Sequence, residues 1–247
     1  MLVATYNVHR GRGPFGLFRP SRIAAVLAEV RPDVIALQEA QHYLRPGRDM
    51  LDFEAIRREL GLGLLRLPDC PGHSGWRSNV VLVRDDARVT FGPVGLRLGG
   101  LEPRGAILVE LDLGGGPFRL LACHLSIGAA RRGLQAARLL QAAQSGGTGA
   151  DLPILLLGDL NEWRQGRSAL AVLEPAFGAS RSPPGFPSFR PLLPLDHILS
   201  RPSGLLQDLA VHDTPLARCA SDHLPLTARF EPAGAGMGGS PGPSLRR

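Results

Sequence analysis

Acid, amide and imidazole side chains recur in this chain just past the ends of apolar runs. Leu152-Pro153-Ile154-Leu155-Leu156-Leu157 stops at Gly158-Asp159-Leu160-Asn161, and Ser221-Asp222-His223 leads into Leu224-Pro225-Leu226. Asn7, Glu39 and His124 hold the same place at the ends of three further apolar runs. Carboxylates, amides and imidazoles are the groups that bind hard cations, orient water and move protons. Delivered by buried strands to one rim of a sheet, they point to hydrolysis, and this mixture of groups suits a phosphate ester.

The elements that must position them follow from periodicity and turn chemistry. Strands are expected at 2–8, 33–38, 64–67, 79–84, 88–97, 106–113, 117–125, 153–157, 195–199, 206–211 and 225–230. A helix is expected over 21–30, with Ser21 as N-cap and Ile23, Val26, Leu27 and Val30 on one face. Others follow at 51–61, closed by Gly61, at 129–143 and at 168–174. In the helix over 129–143, Leu134, Ala137, Leu140 and Gln141 set the apolar spacing, and Arg131, Arg132 and Arg138 read as a solvated face. The Pro-rich segment 180–194 is a loop, and the Gly/Pro/Ser tail over 232–247 buries nothing. Strands in hairpin succession mixed with helical crossovers predict two stacked sheets with helices outside, in one domain over 1–231.

Composition narrows the classes without choosing a substrate. Hydrophobic residues at 44% and charged residues at 20% suit a globular protein rather than a disordered one. All 28 basic residues are arginine, and the formal charge of +6 is compatible with nucleic acid, phospholipid headgroups or a small phosphate ester. Cys70, Cys123 and Cys219 lack CxxC spacing, which argues against a disulfide framework or a structural zinc site. No basic leader with a long apolar run is visible, and no run reaches the ~18 apolar residues of a membrane span. A cytoplasmic monomer is the expectation.

Six motifs in order along residues 2–230 resemble the endonuclease/exonuclease/phosphatase superfamily, which includes DNase I-like nucleases. They are Thr5-Tyr6-Asn7, Leu37-Gln38-Glu39, Cys123-His124-Leu125, Gly158-Asp159-Leu160-Asn161, Leu195-Asp196-His197-Ile198 and Ser221-Asp222-His223. The details are closer to uncharacterised bacterial members than to abasic-site endonucleases, because His9 stands where those repair enzymes carry an acid. The fold implied is a DNase I-like, four-layered α/β (α+β) sandwich, two stacked mixed β-sheets flanked by helices.

The resemblance implies a divalent-metal-dependent phosphoesterase, most readily a phosphodiesterase using Mg²⁺ or Mn²⁺. Glu39 would ligate the metal, with Asn7 orienting it or touching the ion and Asp222 as a further ligand. Asp159 would orient or deprotonate water, and Asn161 would donate to a phosphate oxygen. His223 paired with Asp196 would stabilise the transition state or serve as the base in place of Asp159. His124 would protonate the leaving group, while Asn79 and Arg104 would contact substrate. Substrate choice would lie in loops 10–20, 41–50, 68–78 and 180–194. The alternatives are a phosphomonoesterase, a phospholipid- or sphingomyelin-type phosphodiesterase, and an inactive anion-binding module. No His-x-His-x-Asp-His cluster supports a metallo-β-lactamase type of zinc hydrolase.

Overall fold

The computed structural model describes residues 1–40, 49–100, 102–145, 147–148 and 151–232. Most of the expected 41–50 loop, His42 within it, and the expected tail beyond residue 232 lie outside the described residues. Among the described residues, eleven strands fall into two sheets. The first has the order β10 (Leu206–Val211), β11 (Leu226–Phe230), β1 (Leu2–Asn7), β2 (Val34–Gln38), β4 (Val80–Arg84) and β3 (Leu62–Leu64). The second runs β5 (Arg88–Gly99), β6 (Arg104–Asp112), β7 (Pro117–His124), β8 (Ile154–Asp159) and β9 (Asp196–Arg201).

Each sheet is built around one parallel pair with antiparallel neighbours. α1 (Ser21–Val30) crosses between β1 and β2, and α3 (Ala129–Ser145) crosses between β7 and β8. The central strands are buried on both faces, as parallel strands with helices on one side and a second sheet on the other must be. Val3, Val34 and Phe230 from one sheet meet Ile107, Phe118 and Leu157 from the other. Phe118 and Phe230 pack edge to face with ring centroids 5.1 Å apart. The outer face of the first sheet carries α1, α2 (Phe53–Leu60) and α5 (Pro215–Ala220), and that of the second carries α3 and α4 (Ser168–Phe177). The result is the four-layered sandwich expected. No helix among the described residues is long and apolar enough to cross a membrane.

Local details depart from expectation in instructive ways. α1 begins at Ser21 itself, with Pro20 in the cap position and no side-chain cap bond, so Ser21 is not the cap. α2 is capped by Asp52, which accepts from the Ala55 amide at 2.9 Å, and Gly61 closes it at φ 67°. The apolar face expected on α3 is largely turned outward: Leu134 is 68% exposed, and Ala137 and Gln141 are exposed. Leu140 alone of the four packs partly against the core, and Ala136, Leu139 and Ala143 are the buried positions. Arg132 and Gln135 are buried beside them, so Arg132 is not part of a solvated face.

Candidate active site

One topological fact gathers residues from position 7 to position 223. The parallel pairs end together, with Asn7 opposite Gln38 and His124 opposite Asp159. Every strand antiparallel to those pairs begins where they end. β9 starts with Asp196 opposite Asp159, β6 starts at Arg104 beside the Gly105–His124 pairing, and β4 starts just after Asn79. β11 starts just after His223. The carboxyl ends of parallel strands are where open α/β sheets bind ligands, and here two such ends face each other. Gly158 permits a close approach of β7 and β8: a Cβ there would come within 2.1 Å of the Cys123 carbonyl oxygen, prising the strands apart just before His124 and Asp159.

Asp159 is the hub. Its Oδ2 accepts from Asn7 Nδ2 at 2.9 Å, a bond between the two sheets, and its Oδ1 accepts from the Asn161 backbone amide at 2.8 Å. Asn161 takes a left-handed backbone, φ 52°, that turns its side chain back toward His124 Nε2 at 3.3 Å and the Leu125 carbonyl at 3.0 Å. Burial, reinforced by the negative charge of Asp196, pushes the Asp159 carboxyl up to about 6. His223 Nδ1 lies 2.7 Å from Asp196 Oδ2, and its Nε2 lies 3.9 Å from Asp159 Oδ2. Burial works against its charge, but Asp196, Asp159 and Asp222 outweigh it and raise the imidazole to about 10. His223 is therefore an imidazolium at neutral pH. Asp196 keeps its other oxygen, Oδ1, buried without a partner.

His124 has the opposite charge state. Arg104 Nη1 approaches its two ring nitrogens at 2.7 and 2.9 Å, and a guanidinium only donates. Burial and that cation lower the His124 pKa well below its ordinary value, so the ring is neutral. Arg104 is held in turn by Glu102 at 2.7 Å, and Glu102 lies 3.5 Å from Arg10, whose Nε sits 3.3 Å from Glu39 Oε2. Across the mouth, His9 Nδ1 lies 3.5 Å from Asp222 Oδ1. Asn7, Glu39, Arg104, His124, Asp159, Asn161, Asp196, Asp222 and His223 thus meet at one rim. Asn79 sits beneath it, fully buried, its amide donating to the carbonyls of Trp76, Arg77 and Gly105. It braces β4 against β6 rather than facing outward. His9, Arg10 and Glu102 join the site without having been singled out as candidates. The available signal was their nearness to Asn7 and Arg104 in the sequence.

The sequence pattern of the Endonuclease/Exonuclease/phosphatase family matches residues 4–223. The chain belongs to that family. Family members are phosphoester hydrolases, and the two mixed sheets flanked by helices are the family's DNase I-like fold. An uncharacterised protein of Escherichia coli K12, YbhP, is 26% identical over 246 residues, covering 92% of this chain and 95% of its own. Among solved structures, an endonuclease/exonuclease/phosphatase from Bacteroides vulgatus superposes with a TM-score of 0.71 at 15% identity, covering 92% of this chain and 97% of its own. A mannosyl-6-phosphatase of Bacteroides thetaiotaomicron gives 0.66 at 19% identity, over 93% of this chain and 99% of its own. These two likenesses are of fold.

In this member of the endonuclease/exonuclease/phosphatase family, α3 grips the loops that follow the site residues. Arg132 Nη2 donates to Glu162 Oε2 at 2.9 Å, its Nε donates to Ser168 Oγ at 2.9 Å, and its Nη1 donates to the Ile127 carbonyl. Although burial opposes it, hydrogen bonds from Ser168, Arg132 and Arg164 hold the Glu162 carboxyl down at about 2. One turn along, Gln135 accepts from the Ser126 amide at 2.9 Å and donates to the Gly99 carbonyl at 2.8 Å. Segment 125–128, which follows His124, and segment 161–168, which begins with Asn161, are therefore tied to a single helix face.

Proposed function

We propose that the chain is a divalent-metal-dependent phosphodiesterase that hydrolyses its substrate by attack of an activated water. The observation that carries this reading is the setting of Asp159: a buried carboxylate oriented by Asn7 and Asn161, with the Asp196-bound His223 ring 3.9 Å from it. A base with a pKa of about 6 is deprotonated at neutral pH yet still takes a proton from a water whose pKa has been lowered. His223, held by Asp196, then acts as a fixed positive charge for the extra negative charge of the pentacovalent transition state. Its proton makes it unsuited to be the base. Neutral His124, with Arg104 behind it, donates to a phosphate oxygen rather than supplying a full proton to the leaving group. Asn161 donates beside it.

The donor set suits a hard cation. Glu39, Asp222 and the Asn7 amide oxygen are the oxygen ligands that Mg²⁺ and Mn²⁺ prefer, and they would hold the ion. Asp159, Asp196 and His223 have ligand atoms within 4.8 Å of one another, but His223 Nδ1 and Asp196 Oδ2 are already paired at 2.7 Å and both Asp159 oxygens accept from Asn7 and Asn161. Arg10 on Glu39 and the unpartnered Asp196 oxygen mark a rim whose acids attract positive charge. When bound, the cation neutralises phosphate charge and lowers the pKa of water.

The test is turnover of a generic chromogenic phosphodiester and the matching phosphomonoester with Mg²⁺, Mn²⁺ or EDTA. Diester hydrolysis that EDTA abolishes and added Mg²⁺ restores is expected. A folded protein with no metal-dependent turnover on any phosphate ester ends the reading. A phosphomonoesterase is the second reading, favoured by the arginines Arg10 and Arg104 at the mouth, which suit a dianion, and by likeness to the mannosyl-6-phosphatase. Preference for the monoester decides for it.

A further inference from the structure

Two loops beside the site expose apolar side chains that a water-soluble surface has no use for. Phe15 is 89% exposed and Leu17 52%, and across from them Phe189 is 55% and Leu192 60% exposed. The Phe15 and Phe189 rings stack on each other with centroids 6.4 Å apart and planes 28° from parallel, so the loops present a single raised patch. Both loops are seated on the segment that carries Asp222 and His223. A Cβ at Gly13 would lie 2.4 Å from the Cys219 carbonyl oxygen, and Arg22 Nη1 donates to that same oxygen at 3.1 Å. The Ser188 amide donates to the Asp222 carbonyl at 2.6 Å, Ser188 Oγ donates to the Ser221 carbonyl at 2.7 Å, and Phe186 packs 4.7 Å from the His223 ring. The patch therefore rises from the edge of the active-site mouth.

Its charge is one-sided. Residues 10–28 and 175–195 contain no aspartate or glutamate, and the exposed Arg12, Arg19 and Arg190 flank the apolar tips. Exposed apolar tips ringed by arginine and free of acid match a bilayer interface, where rings and leucines enter the headgroup boundary and guanidiniums meet anionic lipid. A single-stranded nucleic acid fits less well. Leu17 and Leu192 offer no ring to stack on, Phe15 and Phe189 already stack on each other, and the remaining exposed ring of the loop, Phe18, already has Arg12 over it. We propose that Phe15, Leu17, Phe189 and Leu192 form a lip that docks this protein on the surface of a bilayer containing anionic phospholipid, with the active-site mouth beside the headgroups. Docking needs no hydrolysis, so it stands or falls separately from the phosphodiesterase reading.

The test is co-sedimentation of the full chain with vesicles of phosphatidylcholine alone or mixed with phosphatidylglycerol, at low and high salt. Binding that needs phosphatidylglycerol and weakens with salt is expected. The double substitution Phe15→Ser/Phe189→Ser should lower the partition coefficient at least about tenfold, since both rings supply buried apolar area at the interface. The thermal midpoint should stay unchanged because both side chains are exposed. Should that variant fold poorly, Leu17→Ser/Leu192→Ser removes the other two tips and must weaken binding in the same direction. No binding of the unaltered chain to phosphatidylglycerol vesicles overturns the proposal, as does unaltered binding by a folded double variant. Loss of single-stranded oligonucleotide binding in the variant, with vesicle binding intact, also overturns it and makes the lip a nucleic-acid surface.

Discussion

Two clusters of buried charge sit toward opposite ends of the second sheet, and they are built on opposite principles. Near the β6–β7 turn, Glu110 faces Arg119 across the ladder, and Glu110 Oε1 accepts from Arg119 Nη2 at 2.6 Å and from Nε at 3.1 Å. The Thr148 amide adds a further donor at 3.2 Å. One acid meets one base, and each is satisfied. At the other end, Asp159, Asp196 and His223 crowd two acids on one imidazolium, leave Asp196 Oδ1 without a partner and push Asp159 up to about 6. His9, Arg10, Glu39 and Asn161 all take positive φ at this mouth, a backbone state that costs non-glycine residues roughly 1 kcal/mol or more each. The first cluster closes a fold. The second leaves an acid unpaired and gathers positive-φ backbone where the strand ends of the two sheets meet.

Breaking each cluster should therefore do different things. Asp159→Asn is expected to cost roughly 10²–10⁴ in kcat, because the proton acceptor is removed and the amide keeps one oxygen for the two donors, Asn7 Nδ2 and the Asn161 amide. The folded carboxyl lies above its ordinary 3.8, so the unaltered protein should lose thermal midpoint as pH rises from 3.8 to about 6, a decline that the variant should lack. Turnover near the unaltered rate removes Asp159 from the chemistry. Glu110→Ala should do the reverse. Stranding Arg119 costs about 3–5 kcal/mol of stability, read by denaturant titration, with kcat per folded molecule within about twofold. A large loss of kcat in the folded variant would mean that the two ends are coupled.

The strands and the rim were legible because apolar runs stop abruptly at polar residues, and antiparallel neighbours must start where parallel strands end. Asp159, Asn161 and His223 stand at such stops. What escaped depends on tertiary partners. On α3, Leu134 has the right spacing for a core face, yet Arg132 and Gln135 are turned inward because loop carbonyls and Glu162 wait for them. Nothing local announces a buried arginine. His9 reads as a departure from a motif, and only the left-handed turn after Asn7 brings it to Asp222 and the neighbouring Arg10 to Glu39. α5 is too short for periodicity; its signal was Thr214 before Pro215, a capping hydroxyl followed by proline at the first helical position.

The unequal charge of the two ends also gives a pH signature, of intermediate size. Asp159 must be ionised to accept a proton, so kcat/KM should rise with pH through about 6, falling about tenfold per unit below that limb. His223 must keep its proton, so the rate should decline above about 10. Its folded value exceeds the ordinary 6.5, so its stabilising contribution is complete below 6.5 and disappears as pH rises through about 10. His223→Asn should abolish the alkaline limb of whatever activity remains and leave the acid limb in place. An alkaline limb that persists would assign that limb to another group. Glu110 and Arg119 should contribute to neither.

The smallest effect separates positioning from bulk stability along α3. Gln135 touches no site residue, yet it holds Ser126, two positions past His124, and the Gly99 carbonyl at the end of β5. Gln135→Ala removes one acceptor and the amide that donates to both the Gly99 carbonyl and Ser126 Oγ, and the Ser126 amide is left to find water. A loss of about 1 kcal/mol in stability is expected. If α3 serves only to cover the sheet, kcat should not change, since Ala136, Leu139 and Ala143 still pack. If the helix positions the loop behind His124, kcat should fall about threefold to tenfold with KM nearly constant, because loosened groups lose alignment more than binding. The His124 ring resonance in NMR should shift as well, a readout that a change in global stability would not move. An unshifted ring and unchanged kcat would leave α3 with the same role as the Glu110–Arg119 end: holding the fold and nothing more.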